Sequence, residues 1–468
     1  MEFRKSNFLF PLMVIGISIL FLMPASRSFY HDSISYSKDE TVIKVAVYDC
    51  SSSFNIRQFQ SAFNYEWNQN NNTYRLDMTV IDEKDVLGAG SNPLTNENFD
   101  VFVVAASAKS YLLDGLNPKW KENVQKFVSK GGGYLGICGG ANAASQGFEN
   151  PKNAFHKQVN KGVLGIANVY INDNFLGEWQ YLMKFGFGAF IRENITNSTY
   201  PSYVSVNLSV EKNPENEIFS IYDDDFRYIS YAGGPGMYNA DISDPKLGGI
   251  IPLLKYNEEP MHTKPLHYWR PTVNGWKIYK NVTTNLLGTY AGLATTYNSN
   301  GRVVLYGPHP EYPFVVVNGS IQEYYGRGYM SSYLLSKQYV YNYVGYLLNF
   351  SYNVWIVRRS VAWAANVPEE DLPPISESAI WLSVNSYRIL DFIIPIYVGD
   401  VSLSINRMTN DIKKVEFYID GKLKFTDYDA PFDWLWNEKG FGKHLIKAVA
   451  YDSLGNKAYD YIEAWKLL

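Results

Sequence analysis

Cysteine is scarce in this sequence: two of the 468 residues are cysteine, Cys50 and Cys138. Two cysteines cannot form the dense disulfide framework that holds small secreted domains together. They form either a single bridge or two free thiols, and the glycines around Cys138 favour a free thiol there. The fold must therefore be held by a hydrophobic core, for which a hydrophobic content of 46% is sufficient.

Charged residues are also sparse, at 19% of the chain, and the net charge is only −4. No basic stripe is present, so we expect no nucleic-acid partner. His262 and His267 lack a third ligand at zinc spacing. The aspartates at 223–225 lack the spacing of an EF-hand and are typical of a solvated turn. We therefore expect no metal and no cofactor.

An uncharged run from Ser6 to Ser26 follows Arg4 and Lys5 at the N-terminus. The run is long enough to span a bilayer, and it also has the pattern of a secretory signal peptide. Residues 1–28 are therefore predicted to be a signal peptide or a membrane anchor, and the sequence leaves both open. In either case the positive charge before the run places the remaining chain outside the cytoplasm, secreted or tethered to the membrane.

Seven N-x-S/T sequons agree with that location and are possible N-glycosylation sites. They begin at Asn71, Asn194, Asn197, Asn207, Asn281, Asn318 and Asn349. Because the chain is rich in asparagine, chance alone would give several of them. They support an extracytoplasmic location without establishing it.

Apolar strands alternate with helical segments in the first part of the chain. Val42–Tyr48 predicts a buried first strand, and 54–67 carries apolar residues near helical spacing. This alternation predicts an α/β fold, with a mostly parallel sheet and helices on both faces. Residues 150–298 are less regular and predict the remaining sheet together with a β-rich insertion, and 331–353 predicts a helix that covers the sheet.

A boundary is predicted at 366–379, a linker rich in proline and acidic residues. From 380 to 468 the chain changes to short alternating strands, and Asp420-Gly421 predicts a hairpin turn. The pattern indicates a small all-β sandwich. The blocks "VEFYIDGK", "APFDWLW" and "KAVAYDSLGN" resemble the Ig-like domains of many prokaryotic surface proteins. That resemblance implies partners at the cell surface.

The stretch "GGGYLGICGGANAAS" has the features of a nucleophile elbow, in which a strand, a sharp turn and a helix follow one another. Glycines flank Cys138 because the turn leaves no room for side chains. The start of a helix favours the thiolate form of a cysteine. The N–H of Gly139 is then available to an oxyanion. An inert glycine-rich turn is the equally weighted alternative.

A second motif, "VVLYGPHPEY", favours the catalytic interpretation. His309 and Glu311 are two residues apart, so in an extended segment both side chains point to the same side. Glu311 is placed to orient His309, and His309 is placed to face a thiol. A nucleophile, a base and a group that orients the base are the minimum set for thiol catalysis.

Together, "GGGYLGICGG" and "GRVVLYGPHPE" resemble the class I glutamine amidotransferase-like superfamily. Within it, the closest resemblance is to the N-terminal domain of some eukaryotic biotin–protein ligases and to free-standing prokaryotic proteins. The resemblance covers about 41–350 and assigns 41–365 to this domain. It implies a flavodoxin-like sheet, with Cys138 as nucleophile, His309 as base and Glu311 as its partner.

The pocket differs from the pattern of the family. Asn142 stands where glutaminases often have glutamine, and "AASAKSY" replaces a Pro-Gly-Gly loop, so that the N–H of Ser107 is the second predicted oxyanion donor. Tyr111 is assigned to the same pocket. Gly233 and Gly234, in "YAGGPGMY", are also placed there because that segment resembles one near the family's pocket.

Two functions follow from these residues. The first is thiol-dependent hydrolysis or transfer at an amide or related C–N bond, on a small-molecule or peptide substrate. The second is a surface ligand-binding protein that keeps the fold without turnover. No synthetase domain and no biotin-ligase catalytic domain is evident, so neither biosynthetic amidotransfer nor biotin ligation is expected.

Overall fold

The computed structural model describes the chain from residue 40 to residue 467 with internal gaps. The described ranges are 40–50, 53–172, 189–191, 204–231, 233–263, 267–273, 275–281, 283–312, 314–317, 320–322, 349–351, 353–384, 388–390, 395–405 and 411–467. The predicted N-terminal signal or anchor segment lies outside these ranges. Most of the predicted helix at 331–353 also lies outside them.

Helices are few and short. They are α1 (Ser53–Phe63), α2 (Glu83–Val86), α3 (Lys109–Leu112), α4 (Pro118–Ser129), α5 (Gly139–Ala144), α6 (Ala154–Gly162), α7 (Pro260–Thr263) and α8 (Val354–Ala364). In the described part of the chain, none has the length and hydrophobicity to span a bilayer.

Strands make up most of the regular structure. The first fifteen are β1 (Glu40–Tyr48), β2 (Tyr65–Gln69), β3 (Asn72–Ile81), β4 (Val101–Val104), β5 (Gly133–Ile137), β6 (Val169–Asn172), β7 (Ala189–Ile191), β8 (Val204–Val210), β9 (Phe226–Tyr231), β10 (Gly236–Asn239), β11 (Ile251–Tyr256), β12 (His267–Thr272), β13 (Gly275–Asn281), β14 (Tyr290–Tyr297) and β15 (Gly301–Tyr306). The remaining strands are β16 (Phe314–Val317), β17 (Ser320–Gln322), β18 (Asn349–Ser351), β19 (Leu382–Val384), β20 (Arg388–Leu390), β21 (Ile396–Val398), β22 (Val401–Ile405), β23 (Ile412–Ile419), β24 (Lys422–Asp427), β25 (Asp433–Trp436), β26 (Phe441–Asp452) and β27 (Lys457–Leu467).

Five parallel strands form the centre of the sheet, in the order β3-β1-β4-β5-β15. β4 and β5 are buried along their whole length. Continuous apolar runs of this kind are expected where a parallel sheet is covered on both faces. The predicted α/β sheet is thus confirmed in its coarse form, as a mixed sheet with a parallel centre.

Antiparallel strands extend the sheet beyond β15, in the order β14, β11, β8 and β9. β10 pairs with β6 and with β14 beside them. These strands come from the middle of the chain, where the sequence predicts a β-rich insertion. They continue the central sheet, which makes the fold richer in strands than a purely alternating α/β pattern.

Two local expectations differ from the structure. The first helix ends at Phe63, and Trp67, which the apolar spacing assigned to it, lies fully buried in β2. Pairing with β3 overrides the helical spacing there. The predicted helix at 331–353 lies mostly outside the described residues, but Asn349–Ser351 near its end form β18, and the buried helix α8 follows. Beyond it, Asp420 and Gly421 have φ of 50° and 75° between β23 and β24, which confirms the predicted hairpin.

The C-terminal part has a hydrophobic core of its own, which begins at Ile380 and includes Phe417 and Trp436. It is joined to the α/β part edge to edge, because β2 pairs antiparallel with β27 at Tyr65–Ala458 and Glu66–Lys457. The two parts therefore share one continuous hydrogen-bonded sheet.

Residues 366–379, predicted as a linker, pack closely between the two parts. The Arg358 guanidinium, buried in α8, donates to the carbonyl oxygens of Ser376 and Ser378. Asp371 accepts from Tyr74, and its carbonyl oxygen accepts from the Trp67 indole at 2.9 Å. The segment is thus fixed in place. The domain boundaries themselves, 41–365 and 380–468, remain predictions.

Candidate functional site

The carboxyl ends of the parallel strands converge at one edge of the sheet, where ligands bind in open α/β folds. Cys50 follows β1, Ser107 follows β4 and Cys138 follows β5 directly. His309 lies three residues after the end of β15, the neighbour of β5. The topology therefore brings the two separate sequence motifs together at this edge.

Cys138 forms the sharp turn between β5 and α5. Its backbone has φ 53° and ψ −103°, outside the regions that side-chain-bearing residues prefer. Such a conformation costs about 1–3 kcal/mol and is held by its surroundings. One restraint is the Cys138 N–H, which donates to the carbonyl oxygen of Tyr306 at 2.7 Å. The thiol is free and half-buried.

Glycines make this turn possible. A methyl group on Gly136 would lie 2.6 Å from the carbonyl oxygen of Gly140, and one on Gly140 would lie 1.9 Å from that of Val104. The helix that follows is only six residues long. Its dipole is therefore small, and His309 is the stronger candidate for activating the thiol.

His309 and Glu311 form a buried pair. The His309 Nδ1 lies 2.8 Å from the Glu311 Oε1, and the two side chains are 1% and 0% exposed. The Cys138 thiol is close enough to the same imidazole to raise its pKa. The three side chains that the sequence assigns to catalysis thus lie together at one edge of the sheet, and the carboxylate holds the imidazole.

The charge of His309 is set by its two partners. Burial lowers its pKa, but the Glu311 carboxylate and the Cys138 thiol raise it more, and the result is a pKa of about 10. An imidazolium between two acidic groups is therefore the favoured form at neutral pH. This charge state is the one that stabilises a thiolate.

Two predicted oxyanion donors are adjacent. A methyl group on Gly139 would lie 2.2 Å from the carbonyl oxygen of Ser107 and 2.6 Å from its nitrogen, so the two backbones are in close contact. The N–H of Gly139 is in the first turn of α5, where amides have no intrahelical acceptor. The site thus has backbone amides from two loops beside Cys138.

Gly233 and Gly234, predicted to line the pocket, lie in the β9–β10 connection. A methyl group on Gly234 would lie 1.8 Å from the carbonyl oxygen of Gly307 and 3.2 Å from the Cα of Cys138. Gly233 has a φ of 96°, which favours glycine. This connection therefore packs directly against the thiol-bearing turn.

Asn142 and Tyr111 are buried on the short helices next to the turn. Asn142 is 2% exposed in α5, and its N–H donates to the carbonyl oxygen of Cys138. Tyr111 is 2% exposed in α3, within the core that packs behind α5. Both are near the turn, and their roles as substrate contacts remain predictions.

Cys50 is free and buried at the end of β1. Burial, as the largest cause, raises the pKa of its thiol to about 12. Of the two cysteines, Cys138 is therefore the one placed and exposed for reaction. The sequence left a bridge between them open, and the structure shows two free thiols.

Four sequons have described backbone positions. Asn71 and Asn281 are exposed, Asn207 is half-buried on β8, and Asn349 begins β18. Asn194, Asn197 and Asn318 lie outside the described residues. Use of any of them for glycosylation remains a prediction.

Two contacts of His309 are not evident from the sequence motifs. Its N–H donates to the carbonyl oxygen of Ser230 on β9 at 2.6 Å, which ties the motif to the insertion. Tyr312 stacks on its ring, with centroids 4.7 Å apart and an interplanar angle of 14°. Tyr312 directly follows Glu311 in the sequence motif, and this adjacency is the one sequence feature that could have indicated its contact with His309. No sequence feature indicates the contact with Ser230.

Comparison with known proteins gives one family match, to the bacterial Ig domain, over residues 398–448. A search of curated proteins gives no match. The match covers part of the predicted sandwich and establishes an Ig-like region at the C-terminal end of the chain.

Solved structures with some similarity include fibronectin(III)-like modules of Clostridium thermocellum CbhA, at 18% identity and a TM-score of 0.16, covering 19% of this chain and all of that one. The glutaminase domain of Trypanosoma brucei CTPS with bound acivicin is 13% identical, with a TM-score of 0.30, covering 57% of this chain and 86% of that one. An extracellular domain of a one-component system from B. thetaiotaomicron is 10% identical, with a TM-score of 0.16, covering 52% of this chain and 42% of that one. These scores are too low to assign a family.

Proposed function

We propose that this chain carries a thiol-dependent amidohydrolase or amidotransferase site formed by Cys138, His309 and Glu311. The observation that carries the proposal is the strained turn at Cys138 beside a buried imidazole, which a buried carboxylate holds at 2.8 Å. A structural cysteine has no need of a strained backbone or of a buried charged partner.

The fold assignment belongs to the same proposal. In chain order the five parallel strands have the spatial order 2-1-3-4-5, the order of flavodoxin-like sheets. We assign the α/β part to the class I glutamine amidotransferase-like superfamily on this order together with the two sequence motifs. The bacterial Ig domain at 398–448 is compatible with an extracytoplasmic location, in which residues 1–28 serve as signal or anchor and the Ig-like domain contacts partners at the cell surface.

The chemistry follows from the charge state of the three side chains. The Cys138 thiolate attacks the carbonyl carbon of an amide, and the negative charge that develops on the oxygen lies beside the amides of Gly139 and Ser107. Because Nδ1 of His309 is held by Glu311, Nε2 is the ring nitrogen that delivers its proton to the leaving nitrogen.

An acyl group then remains on the Cys138 sulfur, and the amine leaves. The imidazole, now neutral, takes a proton from water, whose oxygen attacks the acyl carbon and releases the acid and the thiolate. Glu311 stabilises the imidazolium in both halves of the reaction. A proton-transferring group of this kind contributes about 10²–10⁴ in rate.

The first experiment measures the rate of Cys138 alkylation by iodoacetamide against pH, in the wild type and in His309→Ala. We expect the variant to lose reactivity at mildly acidic and neutral pH, because it lacks the imidazolium that favours the thiolate form of a neighbouring cysteine. His444→Ala is the matched control, because its imidazole is also 2.7 Å from a carboxylate, that of Asp420, but lies in the Ig-like part. Superimposable profiles for wild type and His309→Ala would remove the nucleophile–base assignment.

The second experiment presents small amides and peptides to the purified ectodomain and looks for an acyl group on Cys138 by mass spectrometry. Cys138→Ala and the Cys138→Ala/His309→Ala double variant should be equally inactive, since both residues serve one step. A reactive thiol that no amide acylates would favour the non-catalytic binding protein instead.

A further inference from the structure

A buried polar network lies next to the loop that carries Ser107. The Tyr48 hydroxyl donates to the Asp114 carboxylate at 2.7 Å, and the Lys109 ammonium lies 2.8 Å from the same carboxylate oxygen. The ammonium also lies 3.2 Å from the Tyr48 hydroxyl oxygen and above its ring. Tyr48 and Asp114 are almost completely buried, whereas the Lys109 side chain is 35% exposed.

This network is tied to the loop at 105–108 by short hydrogen bonds. The Lys109 N–H donates to the Ser107 Oγ at 3.0 Å, and the Ser110 hydroxyl donates to the Ser107 carbonyl oxygen at 3.3 Å. Ser107 is therefore held by hydrogen bonds from both residues that open α3, Lys109 and Ser110.

The restrained loop is the one in contact with the nucleophile turn. Its Ser107 backbone is so close to Gly139 that a methyl group there would lie 2.6 Å from the Ser107 nitrogen. A loop of alanine and serine, which stands here where the resembling family has Pro-Gly-Gly, has no intrinsic rigidity of its own. Backbone donors act on a transition state only if they are held within about 0.5 Å of the productive position.

We propose that Lys109, clamped by Asp114 and Tyr48, is a positioning residue that holds the Ser107 amide in the oxyanion site beside Cys138. This inference rests on the proposed function and adds the side chain that fixes the position of the second oxyanion donor, the Ser107 amide. Lys109 does not touch the substrate. It acts through the loop, so its removal affects only those reactions of Cys138 that develop charge on an oxygen.

Two reagents separate that effect from thiol activation. In p-nitrophenyl acetate the Cys138 thiolate attacks the carbonyl carbon, the tetrahedral oxyanion collapses, and acetyl-Cys138 and p-nitrophenolate are formed. Iodoacetamide is attacked at its CH₂ carbon with loss of iodide, and no oxyanion forms. The ratio of the two rate constants therefore reports on the oxyanion site, and a purely structural role would not move it.

Lys109→Met should lower the acylation rate about tenfold and leave alkylation within about twofold, since losing an oxyanion donor outright costs about 10²–10³ and the loop here is only loosened. Asp114→Asn should act in the same direction, and Lys109→Arg should keep the ratio near that of the wild type. Lys255→Met is the matched control. Its ammonium is also 35% exposed, 2.8 Å from a carboxylate and above a tyrosine ring.

An unchanged ratio in Lys109→Met, or an equal fall of both rates, would overturn the inference, as would a similar change in Lys255→Met. The proposed function fails by a different result, an alkylation profile in His309→Ala that matches the wild type. If His309→Ala changes the alkylation profile but Lys109→Met does not change the ratio of acylation to alkylation rates, the triad is supported and the positioning role of Lys109 is refuted.

Discussion

Replacing the single hydrogen of Gly234 by a methyl group tests how tightly the thiol-bearing turn is held. In Gly234→Ala the new carbon would lie 1.8 Å from the Gly307 carbonyl oxygen, where ordinary contacts begin at 3.4 Å. Both partners are backbone, so no side chain can rotate away, and one segment must move by more than about 1 Å. Gly307 leads into the His309 motif, and the same methyl group would lie 3.2 Å from the Cα of Cys138.

The displacement has two measurable consequences. Forcing volume into a packed site costs about 1–3 kcal/mol, and the upper end applies here because two backbones collide. Moving a reacting group by about 1 Å costs about 10² in rate. We therefore expect the free energy of unfolding in urea to fall by about 3 kcal/mol. The rate of Cys138 alkylation at neutral pH should fall about a hundredfold, because the thiol and His309 separate.

Gly249→Ala is the control, since a methyl group there meets no atom within 4 Å among the described residues. It should change the free energy of unfolding by less than about 0.5 kcal/mol. If Gly234→Ala is as stable and as reactive as Gly249→Ala, the β9–β10 connection does not hold the turn, and Gly234 has no place in the site.

Three further predictions follow from buried charges. Glu311→Gln should lower the pKa of His309, since an opposite charge in contact moves a pKa by about 1–3. The histidine resonances in an NMR titration should show it, and an unchanged titration would contradict the pairing. The pKa of His309 in the folded protein is about 10, above the ordinary 6.5 of a histidine. The stabilisation that the protonated His309 provides is therefore complete below pH 6.5 and is lost as the pH rises towards 10. The stability difference between wild type and His309→Gln in urea should shrink over that window, and a constant difference would refute it. Arg57→Met leaves the buried carboxylate of Asp460 without its cation and should lower the free energy of unfolding by about 3 kcal/mol. The control is Lys443→Met, in the more exposed ion pair with Glu463, which should cost less than about 1 kcal/mol. Equal effects of the two substitutions would mean that Arg57 does not stabilise the junction between the α/β part and the C-terminal part.

The catalytic-type residues could be predicted because their chemistry is local in sequence. The glycines around Cys138 reflect a steric need that any reader of the sequence can infer, and the spacing of His309 and Glu311 fixes their common side. The alternation of strands and helices predicts a mostly parallel sheet, although it does not predict the order of the strands. What joins the motifs, the parallel pairing of β5 with β15, is a long-range contact across the whole insertion that no local pattern encodes.

The seam between the two parts was unpredictable for a similar reason. Prolines and acidic residues at 366–379 are typical of a solvated linker. In the structure, however, the Arg358 guanidinium donates hydrogen bonds to backbone carbonyl oxygens of that segment. An arginine bound to carbonyl oxygens leaves no complementary acid in the sequence to reveal it. Trp67 shows the same limit, since its helical spacing is real but its pairing partners decide its conformation.

Backbone contacts of the neighbouring loops hold the turn that carries the Cys138 thiol. Gly139 lies against Ser107 and Gly234 lies against Gly307, so backbone amides and carbonyl oxygens are close to Cys138. Such groups recognise the reacting carbonyl, which all amides share. Discrimination between amides requires pockets that fit one substituent and reject another. Under the proposed function, the selection of a substrate is therefore assigned to side chains farther from the sulfur than His309 and Glu311.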